Sequence, residues 1–172
     1  MGICYRYTRD YSIAEDLMQD SFIKVLTRIK TFRWKEQGSF TAWIRKIAVN
    51  TCLNYLEKNR KLRKVEVDED KIWQSGYEYE SVENILLSND ESEMESINQA
   101  EFSKEEMFEA LSQVPEPFRI VFNLYAIEGY KHQEISDLMH INIKTSKTRL
   151  FRARKILKKI LYTMSIEKTQ MS

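Results

Sequence analysis

The side chains best suited to chemistry lie in residues 133–154, QEISDLMHINIKTSKTRLFRAR. A short amphipathic run, a three-residue break and a longer basic run succeed one another there, the pattern of a helix-turn-helix. Ile135 and Leu138 face inward, Ser136 is small where two helices cross, and Asn142 caps the second helix. Leu150, Ala153 and Leu157 turn that helix's apolar side in, which leaves Lys144, Lys147, Thr148, Phe151, Arg152 and Lys155 outside. Arg pairs bidentately with guanine, and Thr or Phe touches a thymine methyl, so such a face suits the major groove. The plain alternative is a basic, solvated helix in a bundle. A second basic group, Arg33, Trp34 and Lys35, sits where helical periodicity breaks, and reads as a loop with an exposed aromatic. His132-Gln133-Glu134 matches half of a zinc-deaminase signature, but the Pro-Cys-x-x-Cys half is missing, so neither a metal site nor an enzyme is expected. Cys4 and Cys52 stand far apart without a Cys-x-x-Cys, which fits a reducing compartment and no disulfide framework.

The elements that position these groups read as helices. In 172 residues the chain has 42% apolar and 31% charged residues but only 4 Gly and 2 Pro, which disfavours turn-rich β folds. No run approaches the ~18 apolar residues a membrane span needs, and no signal-peptide core opens the chain. Ser12 with Glu15 resembles a capping box. Behind it Ala14, Leu17, Met18, Phe22, Val25, Leu26 and Ile29 recur at helical spacing, opposite Glu15, Asp16, Gln19, Asp20 and Lys24. Ser39 is expected to cap a second, more apolar helix through Phe40, Trp43, Ile44, Ile47, Ala48, Leu53 and Leu56 that ends on basic residues. Further on, Ser103 with Glu106 forms another capping box, Val114-Pro115 stops a helix and Pro117 opens the next.

A net charge of +1 hides strong segregation. Residues 1–64 carry 14 Lys/Arg against 6 Asp/Glu, residues 65–103 carry 1 against 12, and residues 104–172 carry 12 against 8. Two basic helical domains, 1–64 and 104–172, are therefore expected on either side of an acidic linker, 65–103, with a short helix at 82–88. The fold class is all-α.

Three stretches carry a resemblance: RYTRDYSIAEDLMQDSFIKVL (6–26), GSFTAWIRKIAVNTCLNYLEKNRK (38–61) and LSQVPEPFRIVFNLYAIEGYKHQEISDLMHINIKTSKTRLFRARKIL (111–157). Together, and in this order, they resemble bacterial RNA polymerase sigma factors of the extracytoplasmic-function (ECF) group. The resemblance implies a cytoplasmic, non-enzymatic initiation factor without cofactor or membrane insertion. Its implied partners are core RNA polymerase, promoter DNA and an anti-sigma factor. It assigns Asp16, Gln19, Asp20 and Lys24 to polymerase docking. Arg33, Trp34, Lys35, Ser39, Arg45, Lys46, Arg60 and Lys61 fall in the part that captures the single-stranded minus-ten element, where aromatics and cations suit splayed bases. Phe40 and Trp43 also match family positions, but their spacing reads as core. Thr148, Phe151 and Arg152 fall on base-facing positions for the minus-thirty-five element, with Lys147, Arg149 and Arg154 on phosphate-facing ones and Lys155 on the same outward side. The alternative is a helix-turn-helix regulator that binds duplex DNA without polymerase.

The sequence departs from the family pattern at His140 and Lys144, which replace glycines, and at Ser146, which replaces valine; looser packing at the start of the recognition helix is expected. The family's first helix is also missing ahead of residue 6. An apolar seam with Phe22, Trp43 and Ile47 is then expected to be covered by residues upstream of Met1, by another copy, or by Ile3, Tyr5 and Tyr7.

Overall fold

A computed structural model of the protein describes residues 1–63 and 91–171. Most of the acidic segment, with the short helix expected at 82–88, lies outside the described residues. Every regular element among the described residues is helical, so the fold is all-α. The chain divides into two compact units, Met1–Val65 and Glu66–Ser172.

The first unit holds α1 (Gly2–Thr8), α2 (Tyr11–Arg28) and α3 (Ser39–Arg63), each packed on the other two. α1 ends on Arg9 in the left-handed region, φ 60°. Asp10 follows as the cap of α2, its carboxylate accepting the Ile13 N–H at 3.0 Å. The expected Ser12 box is thus corrected: α2 starts one residue before Ser12, and its first turn holds no acidic residue. α2 buries only Ala14, Leu17, Ser21 and Val25, one stripe at intervals of three and four. Phe22, Ile23 and Leu26 are 58%, 59% and 70% exposed, and Ile29 is exposed too. The helical spacing of Phe22, Leu26 and Ile29 predicts core, but among the described residues α2 packs on α1 and α3, and these side chains are exposed.

Gly38, at φ +87°, leads into α3, and its carbonyl accepts the Ala42 N–H at 3.0 Å. Ser39 is therefore the first helical residue and not the expected cap; its hydroxyl lies 3.5 Å from the Lys35 N–H. α3 buries Ile47, Ala48, Val49, Thr51 and Cys52. Cys4 and Tyr7 of α1 are buried as well, so α1 covers part of the expected seam: Ile47 is buried, Trp43 half-buried and Phe22 exposed. Phe40 and Trp43 are not core. They cluster with Phe32 at the surface, with ring centroids 5.1, 5.4 and 6.0 Å apart.

The second unit holds α4 (Glu91–Gln99), α5 (Lys104–Gln113), α6 (Glu116–Phe122), a π-turn over Asn123–Ile127, α7 (His132–Met139) and α8 (Ile143–Met171). α4 lies in the stretch that composition reads as linker. Glu93 of α4 pairs with Lys158 of α8 at 2.9 Å. The Ser103 capping box forms as expected: Ser103 Oγ accepts the Glu106 N–H at 3.1 Å, and Glu106 accepts the Ser103 N–H at 2.7 Å. Glu106 also takes the Lys168 ammonium at 2.9 Å, which holds its carboxyl below the usual carboxylate range. At the Val114-Pro115 break the buried Arg119 guanidinium donates to the Val114 carbonyl at 2.9 Å, satisfying an acceptor the helix end leaves open. Leu111, Val114 and Phe118 then close on Ala153 and Ile156 of α8, with Phe122, Leu157 and Ile160 at the margin.

These burial patterns separate structural from surface leucines and isoleucines. Ile156→Ala, at a fully buried site, should destabilise the second unit by about 2–5 kcal/mol. Leu26→Ala, on the exposed side of α2, should change stability by less than about 0.5 kcal/mol. Denaturant titration of both variants measures the difference.

Candidate functional site

The helix-turn-helix is built as its residues dictate. α7 ends on His140 at φ 53°, ψ 43°, the left-handed residue expected at this turn. Ser136 ties the turn by donating its hydroxyl to the Ile141 carbonyl at 2.6 Å. Asn142 caps α8, its side-chain oxygen accepting the Lys144 N–H at 2.8 Å. Ser146 is fully buried and bonds His132 Nδ1 at 2.9 Å, joining the first turn of α8 to the start of α7. The valine-to-serine departure thus comes with a hydrogen-bond partner in place of the looser packing expected there. His132 also stacks on Tyr125, centroids 4.6 Å apart, and the Arg154 guanidinium lies 5.8 Å over the other ring of that pair, Tyr125.

The outward face of α8 carries Lys144, Lys147, Thr148 and Arg154, all exposed. Phe151, Arg152 and Lys155 are half-buried at its margin. Two expected placements change. Arg149 is 7% exposed and engaged within the protein, because its position falls on the same side as Leu150 and Ala153, so it does not share the outward face with Lys147 and Arg154. Arg152 lies 5.7 Å over the Phe118 ring, packed against α6.

In the first unit Asp16, Gln19 and Asp20 are exposed on one side of α2. Positions 16, 20 and 23 lie within ~60° of one another on a helical wheel, and 19, 22 and 26 form the adjoining row. The acidic and apolar groups therefore make one mixed face. Phe22, Ile23 and Leu26 are the members that sequence reasoning missed; the signal was an apolar arc wider than two neighbouring helices can cover. Lys24 is not part of this face: its ammonium bonds Thr51 at 3.1 Å and ties α2 to α3.

Trp34 is 66% exposed, as expected, with Lys35 beside it. Arg33 bonds the carbonyls of Lys30 and Phe32 at 3.2 and 3.3 Å, which holds the loop in shape. Arg45, Lys46 and Arg60 are exposed on α3; Arg60 stands about 21 Å along the axis from Lys46, on the same side. The side chain of Lys61 lies outside the described residues. No His, Cys, Asp and Glu group among the described residues is arranged to hold a metal, and no helix among them is long and apolar enough to cross a membrane.

A three-helix unit with an exposed acidic-apolar face and a second unit ending in a basic helix-turn-helix define a class: helical factors that bind both a protein assembly and DNA. Residues 1–62 match the family model of Sigma-70 region 2, and residues 104–157 that of Sigma-70 region 4. The chain is 28% identical over 162 residues to the ECF RNA polymerase sigma-E factor of Haemophilus influenzae, covering 91% of this chain and 78% of that protein. It is 31% identical over 148 residues to the sigma-E factor of Salmonella typhimurium, covering 83% and 70%. To the sigma-H factor of Pseudomonas aeruginosa it is 24% identical over 164 residues, covering 94% and 79%. Among solved structures, the sigma factor RpoE of Bartonella quintana, in complex with the anti-sigma factor NepR, shares the fold with a TM-score of 0.53 at 19% identity, over 93% of this chain and 88% of that one.

The chain belongs to the ECF RNA polymerase sigma factors. It is an alternative sigma factor, a non-enzymatic transcription initiation factor that binds core RNA polymerase and promoter DNA.

His132 supplies a pH test of this site. Burial, with the charges of Lys147 and Arg154 nearby, holds its imidazole below the ordinary histidine range. The folded unit therefore binds a proton less readily than the unfolded chain, so this contribution is complete above about pH 6.5 and is lost as pH falls below it. Denaturation midpoints of the second unit should drop between about pH 7.5 and about pH 5. His132→Gln should flatten that drop.

Proposed function

We propose that α2 docks on core polymerase through Asp16, Gln19, Asp20 and the flanking Phe22, Ile23 and Leu26. The loop with Arg33, Trp34 and Lys35, the start of α3 at Ser39, and the α3 cations Arg45, Lys46, Arg60 and Lys61 capture the non-template strand of the minus-ten element. α8 reads the minus-thirty-five element as duplex, with Thr148, Phe151 and Arg152 toward bases and Lys147, Arg154 and Lys155 toward phosphates. The observation that carries this reading is the exposed mixed face of α2 in a region-2 unit, accompanied by the outward cations of α8 in a region-4 unit. An exposed apolar cluster beside charge is the composition of a protein-docking surface. The reading puts the chain in the cytoplasm, where its polymerase works, and gives it an anti-sigma factor as restraining partner, as the Bartonella sigma factor has in its solved complex.

The deciding experiment compares promoter binding by the pure chain with binding by the chain plus core polymerase, on DNA selected from a randomised library. A sigma factor binds weakly alone and strongly with polymerase. Strong duplex binding by the chain alone, with no association to core enzyme, would overturn the reading in favour of a stand-alone regulator.

Two sets of variants localise the faces. Asp16→Lys with Asp20→Lys should abolish holoenzyme assembly, since charges of the wrong sign meet the partner, while far-ultraviolet dichroism and melting stay as in the parent. Arg152→Ala should cost about 1–3 kcal/mol in minus-thirty-five binding and relax base preference there. Lys147→Ala should weaken all sequences alike and lower the salt slope by about 1. Melting curves control for the Arg152 packing on Phe118.

A further inference from the structure

Cys4 and Cys52 are the only cysteines of the chain, and the fold brings them together. α1 packs on α3, the two residues are 2% and 0% exposed, and both are free thiols. A side-chain hydrogen bond joins them. Both thiols are buried, so neither is among the exposed side chains proposed for docking and DNA.

We propose that Cys4 and Cys52 are a dithiol that hydroperoxide closes to an intramolecular disulfide, covalently joining α1 to α3. A lone buried cysteine is usually an inert small hydrophobe. A hydrogen-bonded pair is different, because each sulfur already has the other as its nearest reaction partner. The bond from Cys52 is foremost in drawing the Cys4 thiol below the ordinary cysteine range, with the positive charge of Arg6 adding to it and burial opposing it. A larger thiolate fraction makes Cys4 the attacking sulfur. Access comes through α1, which has seven residues. A helix that short has little stability of its own, so it can open without unfolding the α2–α3 pair.

The chemistry balances in two steps. The Cys4 thiolate attacks one peroxide oxygen, the O–O bond breaks, and with one proton the products are a sulfenic acid on Cys4 and an alcohol, or water when the oxidant is hydrogen peroxide. The Cys52 thiol then attacks the sulfenyl sulfur, forms the S–S bond and expels hydroxide, which takes the proton that the thiol gives up and leaves as water. Two thiols lose two electrons, and one peroxide gains them. The resulting bridge closes a loop that contains all of α2, which removes chain freedom from the unfolded first unit and raises its unfolding midpoint.

The test uses the full chain, reduced and desalted, exposed to hydrogen peroxide, quenched with catalase, then denatured and alkylated with N-ethylmaleimide. Intact mass should show two alkylations before oxidation and none after, with a loss of two hydrogens, a monomer on a non-reducing gel, a higher melting midpoint, and full reversal by dithiothreitol. Cys52→Ser should be unable to bridge, and its Cys4 should proceed to sulfinic and sulfonic acids. The measurement on the unaltered chain stands even if that variant does not fold. Two thiols that still alkylate after peroxide has oxidised a cysteine-containing control peptide would overturn the proposal, as would sulfonic acids or disulfide-linked dimers as the main product.

Discussion

Burial of one side of α8 governs what the second unit can do. Ser146, Leu150, Ala153 and Ile156 are all turned inward, and partners meet three of them: His132 meets Ser146, and the Leu111–Val114–Phe118 cluster meets Ala153 and Ile156. A helix rotates as a rigid rod, so fixing that side fixes the other. Lys144, Lys147, Thr148 and Arg154 are outward because the inward stripe leaves them nowhere else to go. Groups at the boundary are held by aromatic faces, Arg152 over Phe118 and Arg154 over Tyr125, an arrangement that restrains a flexible cation without neutralising it. The recognition surface is thus a by-product of core packing at positions one or two residues away.

The first unit uses the same constraint with the opposite outcome. Among the described helices its α2 packs on α1 and α3, and its buried stripe is narrow. Large apolar side chains at Phe22, Ile23 and Leu26 are left in water. Burying one such side chain is worth about 1.5–3 kcal/mol, so the unit forgoes stability that a partner surface can recover on binding. An exposed apolar row beside Asp16, Gln19 and Asp20 supplies affinity from the former and orientation from the latter.

How much was legible in the sequence divides along the range of the interactions. Local devices were readable because their partners sit within a few residues: the Ser103 box, the Asn142 cap, the helix break at Pro115, and a left-handed turn residue at His140. The all-α class and both sigma regions were readable too, since periodicity and motif order survive in one chain. Asp10 and Ser12 are both competent caps, and only the reversal at Arg9 decides between them. Placement that depends on which neighbours are present was not readable. Periodicity gives the apolar arc of α2 but not how many helices cover it, so Phe22 and Leu26 looked like core. Lys24, Arg149 and Arg152 read as solvent-facing cations until Thr51, the α8 interior and Phe118 claimed them. Glu93 read as linker until Lys158 supplied a counter-charge. Cys4 and Cys52, far apart along the chain, meet only through the packing of α1 on α3.

On the proposed reading, the charge distribution suits a chain that reads DNA together with a polymerase. Salt-dependent DNA affinity grows with the number of phosphates neutralised, at a slope of about 0.9 per contact. The outward face of α8 offers Lys144, Lys147 and Arg154 as fully exposed cations, and α3 offers Arg45, Lys46 and Arg60. Neither set reaches the six to ten contacts that give tight duplex binding at ordinary salt. Two weak readers become one strong reader when a rigid third body holds both near their sites, because the second contact is then intramolecular at an effective concentration on the order of millimolar. On the proposed reading, the mixed face of α2 recruits that body. Cations added to either face would, on the same reading, raise affinity for every sequence alike and release promoter choice from the polymerase.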